Sequence, residues 1–361
     1  MNKHLIALAV AAATLSGAAS AAQVYSDDSS SLAIGGRVEA RALLSDQAQN
    51  KNDSVLQQKT DKEVTDISRV RVNIDAKTQI ADGVQGIGFY EREFKDDNSN
   101  DENRYMYAGV NSDQYGQLVY GKADGSLGML TDFTDIMAYA GSVVGGSKLA
   151  VADRTTNNLA YTGNFGDLTF KANYVFSGAD YNTVYDRNTG EYKATTKKDV
   201  HGFSTGAVYN VADTGLALGL GYGEQRDQNG NPNTHKARSE QTFATASYTM
   251  GDLYFGGLYK NGRRDGTNLV TGDVTNTQGY EFAAAYTMGK TVFTTTYGFM
   301  KDENAHNVYD ELANAAAVDA TYYFNSNFRT YASYTFNMLD KNKVGKVAAS
   351  DEFVLGARYD F

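Results

Sequence analysis

Two sets of charged residues have the types and spacing to act together. Asp132 and Asp135 stand three positions apart in TDFTD, inside a stretch rich in glycine and apolar side chains. Arginines flank that stretch on both sides: Arg37 and Arg41 in GGRVEAR, Arg69 and Arg71 in RVRVNIDA, Arg104 in NRYMYAG and Arg154 in VADRTTNN. Carboxylates facing guanidinium groups across water perform electrostatics rather than bond-making. At about 8 Å and an effective dielectric of 20 to 80, a unit pair interacts by roughly 0.5 to 2 kcal/mol. That orients a passing solute without trapping it, as conduction requires. The plainer reading pairs the arginines with nearby carboxylates for structure alone, and sequence leaves both open.

Catalytic chemistry finds little support. The histidines are His4, His201, His235 and His306, there is no cysteine, and neither an HExxH metal motif nor a nucleophile elbow is present. No catalytic residue, metal or cofactor is therefore expected. A triad assembled from distant positions remains the one enzymatic alternative. The net charge of -10 argues against nucleic acid as a partner.

The elements that hold these residues alternate. In RVRVNIDA, Val70, Val72 and Ile74 share one face, and Arg69, Arg71, Asn73 and Asp75 the other. Leu168 to Phe176, Val318 to Phe324 and Phe353 to Phe361 repeat the pattern. Short turns are expected at Asp82-Gly83, Ser112 to Gly116, Asn164 to Asp167, Ala212 to Gly215, Met250 to Asp252, Met288 to Lys290 and Asn325 to Asn327. Long polar stretches lie between them, near residues 45–65, 95–102, 177–200, 226–239, 261–277, 301–313 and 339–350. About sixteen strands result, each near the ten residues that a tilted strand needs to cross a bilayer. Mean hydropathy is only -0.46, yet a strand oily on one face hides its apolarity from an average. An arginine facing lipid at the midplane costs roughly 2 to 4 kcal/mol, so the basic residues must point into the lumen. The fold expected is all-β: a 16-stranded antiparallel transmembrane β-barrel. A soluble β-sandwich or repeat adhesin is the alternative.

The stretch from Gly121 to Ser142 breaks the alternation. Leu127, Met129, Leu130, Phe133, Ile136 and Met137 give it too much apolar surface to be disordered. It reads as a folded loop, about residues 121–148, packed against something and presenting its carboxylates to water. The runs Ala283 to Ala285 and Ala315 to Ala317 read as apolar-face residues that meet another subunit. The chain opens with Lys3, an apolar run from Leu5 to Ala13 and Ala19-Ser20-Ala21, the order of an export signal cleaved after Ala21. Residues 1–21 then leave, and 22–361 form one domain without disulfides.

Several segments carry a family likeness: AQVY, SRVRVNIDAKTQI, GIGFYEREF, NRYMYAGV, YGKADGSLGMLTDFTDIMAY, VDATYYFNSNFRTYASYTFN and the ending LGARYDF. Over its whole length the chain resembles the trimeric general porins of the Gram-negative outer membrane, nearest the OmpU-like branch. The resemblance implies a homotrimer in the outer membrane, reached through the periplasm, with the third external loop folded inward. It implies passive, weakly selective passage of small hydrophilic solutes and ions, with a substrate-specific channel or an adhesin barrel as alternatives. Asp135 falls at the family's acidic constriction position, supported by Asp132. Arg71, Arg104 and Arg154 fall on the basic barrel-wall cluster, with Arg37 beside it; Arg69 joins the basic wall by its place in the alternation of RVRVNIDA. Tyr139 stands where many members carry a second loop carboxylate. Phe361 resembles the signal read by the assembly machinery, and lipopolysaccharide is an expected neighbour.

Overall fold

The computed structural model describes residues 21–45, 64–95, 101–181, 184–186, 191–193, 197–227, 237–265, 275–303 and 309–361. Residues 1–20 and most of the long polar stretches, with His4, His235 and His306, lie outside the described residues.

The alternating segments form sixteen barrel strands. In chain order they are β1 Ser30–Ser45, β2 Arg69–Ala81, β3 Val84–Lys95, β4 Glu102–Ser112, β5 Gly116–Ala123, β6 Thr155–Phe165, β7 Leu168–Tyr181 and β8 Lys197–Val211. The second half comprises β9 Leu216–Asp227, β10 Ala237–Met250, β11 Leu253–Asp265, β12 Thr275–Met288, β13 Thr291–Glu303, β14 Tyr309–Tyr323, β15 Phe328–Asn337 and β16 Glu352–Asp360. Each pairs antiparallel with its neighbours in the chain, and the ring closes where β1 meets β16, from Arg37 opposite Asp360 to Ser45 opposite Glu352. Closure leaves no barrel strand with an unpaired edge along the seam. The short strand Ala22–Ser26 fills the rest of that edge of β1. Phe361 exchanges two backbone hydrogen bonds with Gly36 where the two fillers meet, at 2.9 and 3.0 Å.

The turns fall where the glycines and aspartates put them, for example at Asp82-Gly83, with Gly83 at φ 66°. The faces are inverted relative to a water-soluble domain. Large apolar side chains are exposed outward, among them Leu220, Phe282, Met106 and Leu355, while Arg37, Glu39, Arg71, Glu91, Glu93 and Glu281 are buried inward. This is the arrangement hydrocarbon demands of a closed sheet. Among the described residues no helix is long and apolar enough to cross a membrane, which says nothing of a barrel.

Two expectations change. Gly121 to Ala123 continue β5, and the inner loop runs from 124 to 154, because a short 3₁₀ turn at Ala150–Ala152 carries the chain back before β6 begins at Thr155. Ala283, Ala285 and Ala317 are inward and buried rather than facing a subunit. Ala283 and Ala285 pack against Ile136 of the loop, since the apolar lining they supply is needed inside.

Candidate functional site: the inner loop and the charged wall

The inner loop leaves β5 through an irregularity at Gly121, whose φ of 140° brings the backbone close against Met106. Its base is clamped: the Gly125 amide donates to the Asp153 carbonyl at 2.8 Å and the Leu127 amide to the Ala152 carbonyl at 3.3 Å. Ser126 is tied to Asn173 of β7 and Ser204 of β8 at 2.9 to 3.1 Å. A single helical turn, α1 Gly128–Thr131, then drives Leu127, Met129 and Leu130 into a cluster with Phe243, Leu258 and Met300.

The opposite wall receives the loop because it is bare. Gly219 and Gly221 lie beneath Leu130, and Gly256 beneath the Phe133 carbonyl, where a Cβ would collide. Burying a side chain such as Leu130 contributes about 1.5 to 3 kcal/mol. Polar groups fix the register. The Tyr254 hydroxyl donates to the Phe133 carbonyl at 2.8 Å, and Lys260 Nζ donates to the Ser147 carbonyl at 2.5 Å. Wall side chains also accept from loop amides: Asp319 from Ala138 at 2.7 Å, Glu281 from Val144 at 2.8 Å and Gln241 from Leu149 at 2.9 Å. Hydrogen bonds to charged groups are each worth about 1.5 to 3 kcal/mol net. The loop is thus a bolted shelf across the lumen.

Asp132 and Asp135 sit on the uncovered side of that shelf, both exposed. The dense wall enclosing Asp132 raises its carboxyl to about 6, against the attraction of Lys171 and with Asp135 reinforcing the rise. Asp135 is also raised, chiefly by the same enclosure, with Lys148 opposing. Tyr139 lies beneath the Arg41 guanidinium, 5.5 Å from ring centroid to Cζ.

The arginines form an ion-paired lattice on β1 to β4 and at the loop's return. Arg69 meets Glu39 at 2.7 Å and Glu93 at 3.4 Å. Arg71 pairs with Glu93 and lies 3.9 Å from Glu91, which Arg104 holds at 2.7 Å. Arg154 and Lys122 share Glu102 at 3.1 and 3.2 Å. Among the described residues Arg37 ion-pairs with Glu39 alone, at 3.8 Å. Arg154 stands in the loop's return, one residue before β6. Arg104 points inward because β4 carries a bulge opposite Glu91 and Arg92 that turns Arg104 and Tyr105 to the same side.

Sequence reading missed the carboxylate half of this lattice. Glu39, Glu91, Glu93 and Glu102 share parity with the arginines, and the alternation in YEREF was the signal. It also missed an aromatic cluster within the lumen, Phe89 with Tyr105 and Tyr107, at centroid separations of 5.5 to 6.3 Å.

A closed sixteen-stranded ring with an apolar exterior, a charged interior and a loop docked inside defines an outer-membrane channel. The chain belongs to the Gram-negative porin family, whose model matches residues 7–342. It is 55% identical to porin-like protein L of Photobacterium profundum, and 42% identical to outer membrane protein U of Vibrio parahaemolyticus, each covered end to end. Among solved structures, OmpF of Salmonella typhi in complex with daunomycin superposes with a TM-score of 0.74 at 20% identity, covering 94% of this chain and 100% of that one. An anion-selective porin from Comamonas acidovorans gives 0.67 at 16% identity, covering 92% and 100%. A trimer form of OmpT from Vibrio cholerae gives 0.67 at 20% identity, covering 92% and 100%. The protein is a porin of the Gram-negative outer membrane.

Proposed function

We propose that the bore passes small hydrophilic solutes and ions by diffusion, with its narrowest section between the inner loop and the wall of β1 to β4. Asp132 and Asp135 supply the acidic side, and Arg37, Arg69, Arg71, Arg104 and Arg154 the basic side. The observation that carries this reading is the loop's one-sided docking, which buries its apolar face against the glycine-bared wall and leaves both aspartates exposed. Because Glu39, Glu91, Glu93 and Glu102 neutralise most of the arginine row, the exposed loop carboxylates tip the balance towards mild cation preference. No step in this passage makes or breaks a bond, so no catalytic group or cofactor takes part.

The working assembly is a homotrimer in contact with lipopolysaccharide, formed after residues 1–21 are removed. Phe361, paired to Gly36 at the closing seam, serves the assembly machinery as the terminal signal. Single-channel recording in planar bilayers, combined with swelling of proteoliposomes in sugars of graded size, tests the reading. Stepwise conductance and a size-graded swelling rate are expected; a barrel that passes no current overturns it.

A further inference from the structure

Past the arginine row the inner wall of β3 changes character. Its inward positions run Glu93, Glu91, Phe89 and Ile87 toward the short turn at Asp82-Gly83, so carboxylates give way to apolar side chains within one step of the pleat. Phe89 stands directly opposite Tyr107 of β4, with ring centroids 5.5 Å apart and planes 31° from parallel. Tyr105 closes one side of the pair, at 90° to Tyr107 and 6.3 Å away. All three rings are part-exposed. They belong neither to the lipid face nor to the cluster that seats the inner loop. Gly121, opposite Tyr107, and Gly109, two residues along β4, place no side chain on this stretch of wall, which leaves room beside the rings.

Charged groups border the rings and set what they can hold. Asp75 of β2 lies directly opposite Phe89 and pairs with Lys77 at 2.9 Å. Asp124, at the start of the inner loop, accepts the Tyr105 hydroxyl at 3.0 Å. A carboxylate offers about four acceptor sites, so each of these keeps some for a further donor. The guanidinium carbons of Arg154 and Arg104 stand 5.3 and 6.0 Å from the Tyr105 ring centroid. Those two cations disfavour a cationic ligand at that corner, and Asp75 and Asp124 disfavour an anion. An uncharged ring with one apolar face and hydroxyls around its edge suits the combination, since aromatic surface takes the face and carboxylates take the hydroxyls.

We infer that Phe89 and Tyr107 form a stacking platform for the pyranose ring of a neutral sugar, with Asp75 and Asp124 accepting from its hydroxyls. The inference rests on the diffusion reading and adds to it a solute class that the bore retains. The platform lies on the short-turn side of the arginine row. A sugar pauses there and then moves on, because contacts in a conducting bore must be weak enough to release.

The test uses the full mature chain in planar bilayers, with methyl β-D-glucopyranoside added at constant salt and mannitol, an open-chain polyol of similar size, as the control for viscosity. In wild type the glucoside is expected to lower the ion current saturably, and mannitol only in proportion to viscosity. Phe89→Leu and Tyr107→Leu are each expected to raise the half-saturating concentration roughly two- to tenfold, the worth of one aromatic contact, while Phe89→Tyr retains the wild-type value. The chain holds no tryptophan, so Phe89→Trp keeps the platform and supplies a lone indole, whose emission in detergent should shift saturably with the glucoside and not with mannitol. Equal responses to glucoside and mannitol in wild type overturn the platform but leave the diffusion reading standing, as does a glucoside response unaltered in both leucine variants. A saturable response to phenyltrimethylammonium with none to the glucoside overturns it in favour of an organic cation. Absence of any current counts against the diffusion reading instead; the emission titration then decides the platform, and an indole that does not respond to the glucoside rejects it.

Discussion

Tyr331 donates its hydroxyl hydrogen to Glu39 at 2.8 Å across the strand that separates them, with its ring close against Gly356. A Cβ on Gly356 would overlap that ring. The bond crosses the seam where the ring closes, so one glycine on β16 lets a tyrosine on β15 engage a carboxylate on β1. Gly356→Ala should therefore destabilise the closed barrel by about 1 to 3 kcal/mol, the usual penalty of overpacking. The expected readout is a lower temperature for the shift in mobility on heating before electrophoresis. An unchanged transition would mean that the ring relaxes freely.

The loop's seat makes a second prediction. In Gly221→Val the added methyls occupy the space that Leu127 and Leu130 fill against β9. The shelf should lift, and single-channel records should show conductance outside the wild-type level with frequent sublevels. Records indistinguishable from wild type would show that the loop does not depend on this wall.

Replacing Arg71, Arg104 and Arg154 together with glutamine removes both ion-pair partners of Glu91 and leaves Glu93 with Arg69 and Glu102 with Lys122, so three positive charges leave the wall. At about 0.5 kcal/mol per charge in a wet bore, the ratio of cation to anion permeability should rise roughly tenfold. The measurement is the reversal potential in a salt gradient. No shift would remove these arginines from the permeation path.

Acid should act in the opposite direction, through the loop. The Asp132 carboxyl is raised to about 6 by its enclosure, so it is ionised at pH 7.5 and mostly neutral by pH 5. Cation preference should be full above that range and decline as pH falls through it. In Asp132→Asn the step should vanish. A wild-type selectivity flat from pH 7.5 to 5 would contradict the assignment.

Deletion of Phe361 removes both backbone hydrogen bonds to Gly36 at the seam. Assembled trimer in the membrane fraction should drop. A normal amount of heat-modifiable trimer would refute the terminal-signal role.

Alternation by itself determined the architecture. Hydrocarbon outside and water inside force opposite chemistry on successive residues, so parity in segments such as Arg69 to Ala76 already separates lipid face from lumen face. The short turns follow from their glycines and aspartates, and the ring of sixteen from the count of strands between them. The broken beat around Gly121 likewise marked the inner loop and its exposed aspartates. Tertiary structure alone decided which charges meet. Pairing depends on register across strands far apart in sequence, and nothing local in GGRVEAR reveals that Glu39 is claimed by Arg69 and Tyr331 and meets Arg37 only at 3.8 Å. The wall that seats the loop was hidden for the same reason: glycines at 219, 221 and 256 look like weak points in their strands until Leu127, Leu130 and Phe133 arrive against them. A bulge at Arg104 and the inward turn of Ala283 and Ala285 complete the list, because both depend on what lies across the barrel rather than on what lies next along the chain.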